Sequence, residues 1–340
     1  MESQKRPSSR LVTVILLVIA LVGVALIVSD WKKMAPVLAR SDWRFIPLVL
    51  LFTVFSYLSY SYAYALVSRL MGIQMGRREL AEVCFITVIV NHIVAAGGAA
   101  GWSLRYLMMK MYGVSLKDTL ASSLLHYFLI SSMMLAFTPV AFVYLLLHAT
   151  VPQGVAILLG IMTVLFVLVL LLVIGLLVFP GRRRPFINFI ARLGRRILRR
   201  DFESWLDQLD EALTRATQAI RRQPLQLVWL LLLALADFIC SIAAFGFCLD
   251  ALGPAASAGV LLSGYVLGIM AGVISMVPGG FGIQEGSMAG IYVLLGVRFE
   301  QALLASILFR FIFYLLPYLL ILFIYNRLLR QAKQQEPIEL

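Results

Sequence analysis

The chain has 340 residues, 61% of them hydrophobic, with a formal net charge of +12 and a mean hydropathy of +0.94. So much apolar surface excludes a soluble domain of this size, and apolar runs of about 20 residues indicate helical spans rather than the shorter alternating strands of a barrel. The positive charge gathers between Arg182 and Arg222 and at both termini, where anionic headgroups would meet it, so nucleic acid is not an expected partner.

Lys5, Arg6 and Arg10 precede the first apolar run, 11–29, which reads as a retained span with the N-terminus in the cytoplasm. A second span, 45–70, carries Tyr57, Tyr60, Tyr62 and Tyr64, a spacing that predicts interior packing. The third, 80–96, holds Asn91 and His92 and runs into Gly97, Gly98 and Gly101, where a break is expected. The segment after it, 102–112, contains Arg105 and Lys110 and is short for a lipid-facing span. Spans at 116–148 and 153–179 follow, with His126 in the former. From 181 to 223 the chain turns arginine-rich and amphipathic, which predicts interfacial helices on the cytoplasmic face. Further spans are expected at 225–252, 256–277 and 300–325, after which Arg327, Arg330 and Lys333 anchor the C-terminus in the cytoplasm. Cys84, Cys240 and Cys248 lie in apolar segments without disulfide or metal-ligand spacing, and no metal or cofactor is expected.

One stretch interrupts the last group of spans: Val277-Pro278-Gly279-Gly280-Phe281-Gly282-Ile283-Gln284-Glu285-Gly286. Proline lacks the amide a helix needs, and glycine opens backbone conformations closed to other residues, so a helix arriving at Met276 must break. Broken backbone in lipid leaves unpaired peptide groups, so the break belongs inside protein or beside a watery cavity. The two breaks share an order: glycines, a short helix, a glycine turn at Gly113 or Gly296, then a long helix restarting on Lys117-Asp118 or Glu300-Gln301. With both termini and the arginine-rich segment on one side, parity turns the two halves in opposite directions. The expected fold is therefore all-α: a single membrane domain over 1–340, with about eight long transmembrane helices and two short broken or re-entrant ones. Residues 45–148 and 225–326 form the halves of an inverted repeat, and 153–179 links them.

The residue types at the breaks indicate binding of a charged headgroup. Glu285 sits at the start of a short helix, where it pairs with a base or contacts a substrate amine, and Arg310, deep in the last span with Tyr314 one turn on, needs an anionic partner. Arg105 and Lys110 are candidates for phosphate contact. Gly97, Gly98, Gly101, Pro278, Gly279, Gly280, Gly282 and Gln284 shape the two breaks, and Asn91 and His92 supply polar groups beside the first. Asp237 and His126 are buried polar groups, either structural or involved in coupling. No catalytic residue is expected, because no nucleophile-base spacing or nucleotide-binding glycine loop is present.

Pro278 to Glu285, followed by Gly296, Ala302 and Arg310, resembles the second signature of the lysylphosphatidylglycerol synthase transmembrane family. The region Gly98 to Gly113 is similar to its first, with Arg105 in place and Ser103 and Leu104 where an acidic residue is usual. The resemblance implies a stand-alone flippase-like member without the soluble aminoacyl-transferring domain, and so a protein that is not an enzyme. On that reading it moves a lipid or lipid-linked substrate across the bacterial cytoplasmic membrane, with membrane lipids of anionic or lipid-linked headgroup as partners and homo-oligomers among its possible assemblies. Two other readings stand beside it: a non-catalytic partner presenting 181–223 to a glycosyltransferase or lipid-modifying enzyme, and an intramembrane lipid transferase using His92 or Glu285.

Overall fold

The computed structural model of the chain describes residues 31–93, 99–150, 152–178, 223–275 and 277–321, with isolated residues between 185 and 218. The expected first span at 11–29, Gly97 and Gly98, most of 181–223, and the anchors Arg327, Arg330 and Lys333 lie outside the described residues.

A short helix, α1 (Trp31–Ala39), and a 3-10 turn (Trp43–Phe45) lead into α2 (Ile46–Leu70), which starts with a proline at its amino end, where the missing amide costs nothing. Gly72, at φ 87°, turns the chain into α3 (Arg77–Ile93). The next helix, α4 (Ala99–Lys110), ends in a turn through Gly113 at φ 75°. Ser115 then caps the amide of Asp118 to start α5 (Leu116–His148). α6 (Gln153–Val178) completes the first part. The second opens with α7 (Pro224–Leu252) and α8 (Ala258–Ile274), the latter capped by Ser257. A 3-10 turn (Pro278–Gly280) separates α8 from α9 (Ile283–Leu294). Gly296, at φ 89°, then admits α10 (Phe299–Arg310), which continues through a π-helical segment (Phe311–Leu315) to Ile321.

Among the described residues four helical stretches are long and apolar enough to cross a membrane: Trp43–Leu70, Leu116–His148, Pro224–Leu252 and Phe299–Ile321. Shorter apolar segments lie at Ala156–Leu172 and Ala258–Ile274. The described residues thus show four such helices and two shorter apolar ones, of the eight long helices expected. The third and seventh expected spans are α3 and α8, of 17 residues each. At 1.5 Å per residue each measures about 25 Å, short of a hydrocarbon core of about 30 Å. An apolar run does not by itself distinguish a helix that faces lipid from one enclosed by protein.

Each of these helices folds back against a 12-residue partner. Along α8, Gly264, Gly268 and Gly272 face Tyr292, Met288 and Gln284 in turn, so steps of four up one helix meet steps of four down the other. Small residues on one side let the backbones approach, as in other membrane helix pairs. In the first part, Asn91 reaches Gly101, and Thr87 and Cys84 reach Arg105, the same antiparallel order for α3 and α4. The two parts thus repeat one plan: a long helix, a hairpin of 17 and 12 residues, a glycine turn and another long helix.

The corresponding long helices α2 and α7 pack side by side in opposite directions, with Phe45 stacked on Phe247 at one end and Ser56 bonded to Asp237 further along. One end of the bundle joins the start of α2, the end of α7 and the start of α10. There the backbone amide of Asp42 donates to Ala251 O at 2.8 Å, and the Gln301 side-chain Nε2 donates to Leu249 O and Pro254 O, each at 3.0 Å. At the start of α5, Lys117 pairs with Glu211 at 2.7 Å. The main core lies between the parts, where Phe245 stacks on Tyr292 and meets Phe309 edge-on. A smaller one, around Tyr64, Leu80, Cys84 and Met109, fills the space beneath α3 and α4. Of the four tyrosines on α2, Tyr57 and Tyr64 are buried, while Tyr62 is exposed.

Candidate functional site

The second break is built as its residues require. Gly279, Gly280 and Gly282 have φ of 60°, 63° and 79°, which side-chain-bearing residues rarely adopt. Unwinding frees backbone groups, and two side chains take them up. Glu285 accepts from the Gly282 amide at 2.7 Å, and Arg310 donates from Nη1 to Gly279 O, also at 2.7 Å. Glu285 and Arg310 are themselves paired through Oε1 and Nε, both largely buried. The guanidinium lies 4.5 Å from the centre of the Phe281 ring and 5.5 Å from that of Tyr314, and its Nη2 is buried without a hydrogen-bond partner among the described residues. Gln284 is buried against Gly272 and Gly280. The break is therefore held by an ion pair that also caps it.

Before the first break, Asn91 accepts from the Gly101 amide at 3.0 Å, so a side chain on α3 caps the start of α4. Gly101 is required: a Cβ there would lie 2.6 Å from Asn91 Oδ1 and from the Thr87 carbonyl. One turn on, Arg105 is 3% exposed and surrounded by protein. It donates to Thr87 Oγ1 at 3.0 Å, Ser123 Oγ at 3.3 Å and Cys84 Sγ at 3.5 Å, and its guanidinium lies 4.3 Å from the Tyr64 ring centre. No carboxylate pairs with it among the described residues. Lys110 is exposed at the end of α4. Among the described residues α3 and α4 thus have no counterpart to the Glu285–Arg310 pair.

The second break adjoins the end of α3. A Cβ at Gly279 would come 3.3 Å from the carbonyl oxygen of His92, in the last turn of α3. The His92 ring meets Tyr314 edge-on at 4.7 Å, and its Nδ1 is 3.1 Å from the Tyr57 hydroxyl. That hydroxyl donates to Phe313 O at 2.8 Å, inside the π-helical segment, where the wider winding disturbs the regular pairing of the carbonyls. His92 and Tyr314 therefore connect the locked break to the space beside it.

That space is a cavity of about 520 Å³ between the two parts. Most of its wall is apolar, including Val88, Met134, Leu135, Phe166, Phe238 and Ile269. Ser56, Asp237 and Ser241 meet where α2 packs on α7: Ser56 donates to Asp237 Oδ1 at 2.6 Å and lies 3.0 Å from Ser241, with Tyr57, Tyr265 and His92 also on the wall, while Ser131, Ser132 and Thr138 line the cavity from α5. Exposed Tyr127 and Val273 stand at its rim. Of the residues expected to hold a headgroup, His92 and Tyr314 line this cavity, as does Asp237. Gly101, Arg105, Lys110, Gln284, Glu285, Arg310 and the glycines of the second break do not. His126 is buried in α5, its Nε2 3.0 Å from Tyr60 O and its ring between Tyr60 and Tyr64.

Arg105, Lys110 and Arg310, the basic candidates for contact with an anion, are thus not gathered into one site. Arg105 and Arg310 serve protein groups, and Lys110 stands apart. Sequence reasoning missed Ser56, Tyr57 and Ser241. Ser241 had a readable signal, since it lies one helical turn after Asp237 and so on the same face.

The family model described as the lysylphosphatidylglycerol synthase TM region matches residues 13–321. A UPF0104 membrane protein of Pyrococcus horikoshii is 25% identical over 331 residues, covering 92% of this chain and 97% of that protein.

Proposed function

Given that the chain belongs to the lysylphosphatidylglycerol synthase TM region family, we propose that it is a multi-pass protein of the cytoplasmic membrane that translocates a lipid or lipid-linked molecule. The observation that carries this reading is the cavity: large, mostly apolar, with a carboxylate and two serine hydroxyls gathered where α2 meets α7. A lipid has the same division. Its headgroup fits the Ser56–Asp237–Ser241 wall, and its chains leave past Tyr127 and Val273 into the bilayer. Only the headgroup loses water, so only its polar groups need partners inside.

The two hairpins supply the path. In this reading α3–α4 and α8–α9 enter from opposite faces and stop where His92 meets Gly279, as in inverted-repeat transporters whose broken helices meet near the midplane. The antiparallel packing of α2 on α7 and the repeated hairpin lengths support it. Re-entrant hairpins add no crossing, which leaves an even number of crossings on each side of 181–223 when the expected span at 11–29 is included. The protein acts without chemistry on its substrate.

Reconstitution into liposomes containing a lipid with a fluorescent headgroup tests the proposal. Addition of an impermeant quencher should reveal exchange between leaflets with the protein present. Exchange no faster than in protein-free liposomes, across anionic, zwitterionic and isoprenoid-linked reporters, would overturn it.

A further inference from the structure

Among the described residues Asp237 is the one carboxylate on the cavity wall, and its surroundings differ from those of Glu285. Glu285 has a guanidinium and a backbone amide, one for each oxygen. Asp237 has a single described donor, the Ser56 hydroxyl on Oδ1, and no described lysine or arginine within ion-pairing distance. Its second oxygen accepts no hydrogen bond from a described residue, in a side chain that lines the cavity. An ionised carboxylate enclosed in a membrane bundle needs a cation or several donors, and the wall provides neither. What satisfies the group must therefore come through the cavity.

The groups facing it are weak alternatives. They are Tyr57 and Tyr60 on α2, Cys84 on α3, Tyr127 on α5, Cys240 on its own helix, Tyr265 on α8 and Tyr314 after α10, with His92 across the cavity. None is a cation paired with it, and the phenols and thiols offer only neutral hydrogen-bonding groups. The Ser56–Ser241 contact continues the hydroxyl chain along α7 and holds the carboxyl in one orientation.

We propose that Asp237 is a proton-binding site, loaded from one side of the membrane and unloaded to the other, and that this proton drives the translocation proposed above. In the loaded state the cavity-facing oxygen carries an O–H bond and the wall is neutral. In the unloaded state that proton has left to water on the opposite side, and the carboxylate awaits a cation or the next proton. The coupling rests on the transport reading, but the proton site does not.

Two measurements on the full-length protein separate them. Infrared difference spectra of the purified protein, recorded while pH is stepped from alkaline to acid, should show a carboxylic C=O band that neither histidine nor tyrosine produces. The band should be absent in Asp237→Asn and displaced in Asp237→Glu. A spectrum identical in wild type and Asp237→Asn overturns the proton site, whatever the transport assay gives. In liposomes, an imposed pH gradient should shift the reporter lipid toward one leaflet, and collapsing the gradient with a proton ionophore should abolish the shift. Wild-type exchange that ignores the gradient, or that answers to a sodium gradient instead, overturns the coupling while leaving translocation standing. A protein that shows the band yet moves no lipid retains the proton site and loses both transport claims.

Discussion

Arg310 donates both to Glu285 and to the carbonyl of Gly279, so one side chain closes the ion pair and pins the unwound turn. Removing one partner of such a buried pair leaves the other charge uncompensated, at a cost of about 3–5 kcal/mol. Arg310→Ala and Glu285→Ala should each lower the melting temperature of the detergent-solubilised protein markedly, and the double variant should lose less than the sum of the two. Additive losses would show that the pair is not coupled.

The glycines of the break should respond unequally. Gly279→Ala places a Cβ at a positive φ, 2.8 Å from the Phe281 ring and 3.3 Å from the His92 carbonyl, and should cost about 1–3 kcal/mol. Gly286→Ala, inside α9 with open space around it, should stabilise by about 0.5–1 kcal/mol through helix propensity alone. Thermal melts of the two variants side by side check the contrast.

At the first break the cap and its glycine can be separated. Asn91→Ala removes one hydrogen bond to the Gly101 amide and should cost about 0.5–2 kcal/mol. Gly101→Ala should cost more, because the Thr87 carbonyl is backbone and cannot rotate aside. The reverse order of stabilities would show that α3 and α4 are not held as closely as described.

Arg105 distinguishes packing from ligand binding. Its planar fork reaches three acceptors and stacks on Tyr64, a geometry that lysine cannot reproduce. Arg105→Lys should therefore destabilise the fold by about 1–2 kcal/mol, the scale of one desolvated stacking contact, without altering affinity for phosphate-bearing lipid. Lipid retention on native mass spectrometry, compared with the melting temperature, measures both.

Filling the cavity should affect ligand and fold differently. Ser131 lines the cavity and is only partly buried, so Ser131→Trp has room to place its ring in the open volume. The expected result is a melting temperature close to wild type, with loss of co-purified lipid and of leaflet exchange. Retained exchange would move the transport path elsewhere.

The second break and its ion pair were legible in the sequence because they depend on single-residue chemistry. Proline and glycine constrain the backbone wherever they sit, and an acid and a base in apolar segments are costly until they meet. The length of α8 was not legible, since a helix sheltered by its own hairpin partner is as apolar as one in lipid. Asp237 stood out as a buried acid, but Ser56, on a helix 181 positions away, could not be assigned to it without the antiparallel packing of α2 and α7. The burial of Arg105 among hydroxyls and a ring was equally hidden, because arginine after a glycine break reads the same whether its partner is phosphate or protein.

The π-helical stretch Phe311–Leu315 contains one residue more than regular winding would accommodate. Deleting a single position there would straighten the last helix, return the oxygen of Phe313 to its own ladder and deprive Tyr57 of the acceptor it now uses. Homologues shorter by one residue at this point should therefore differ at position 57 as well, two changes far apart in the chain but joined by one hydroxyl.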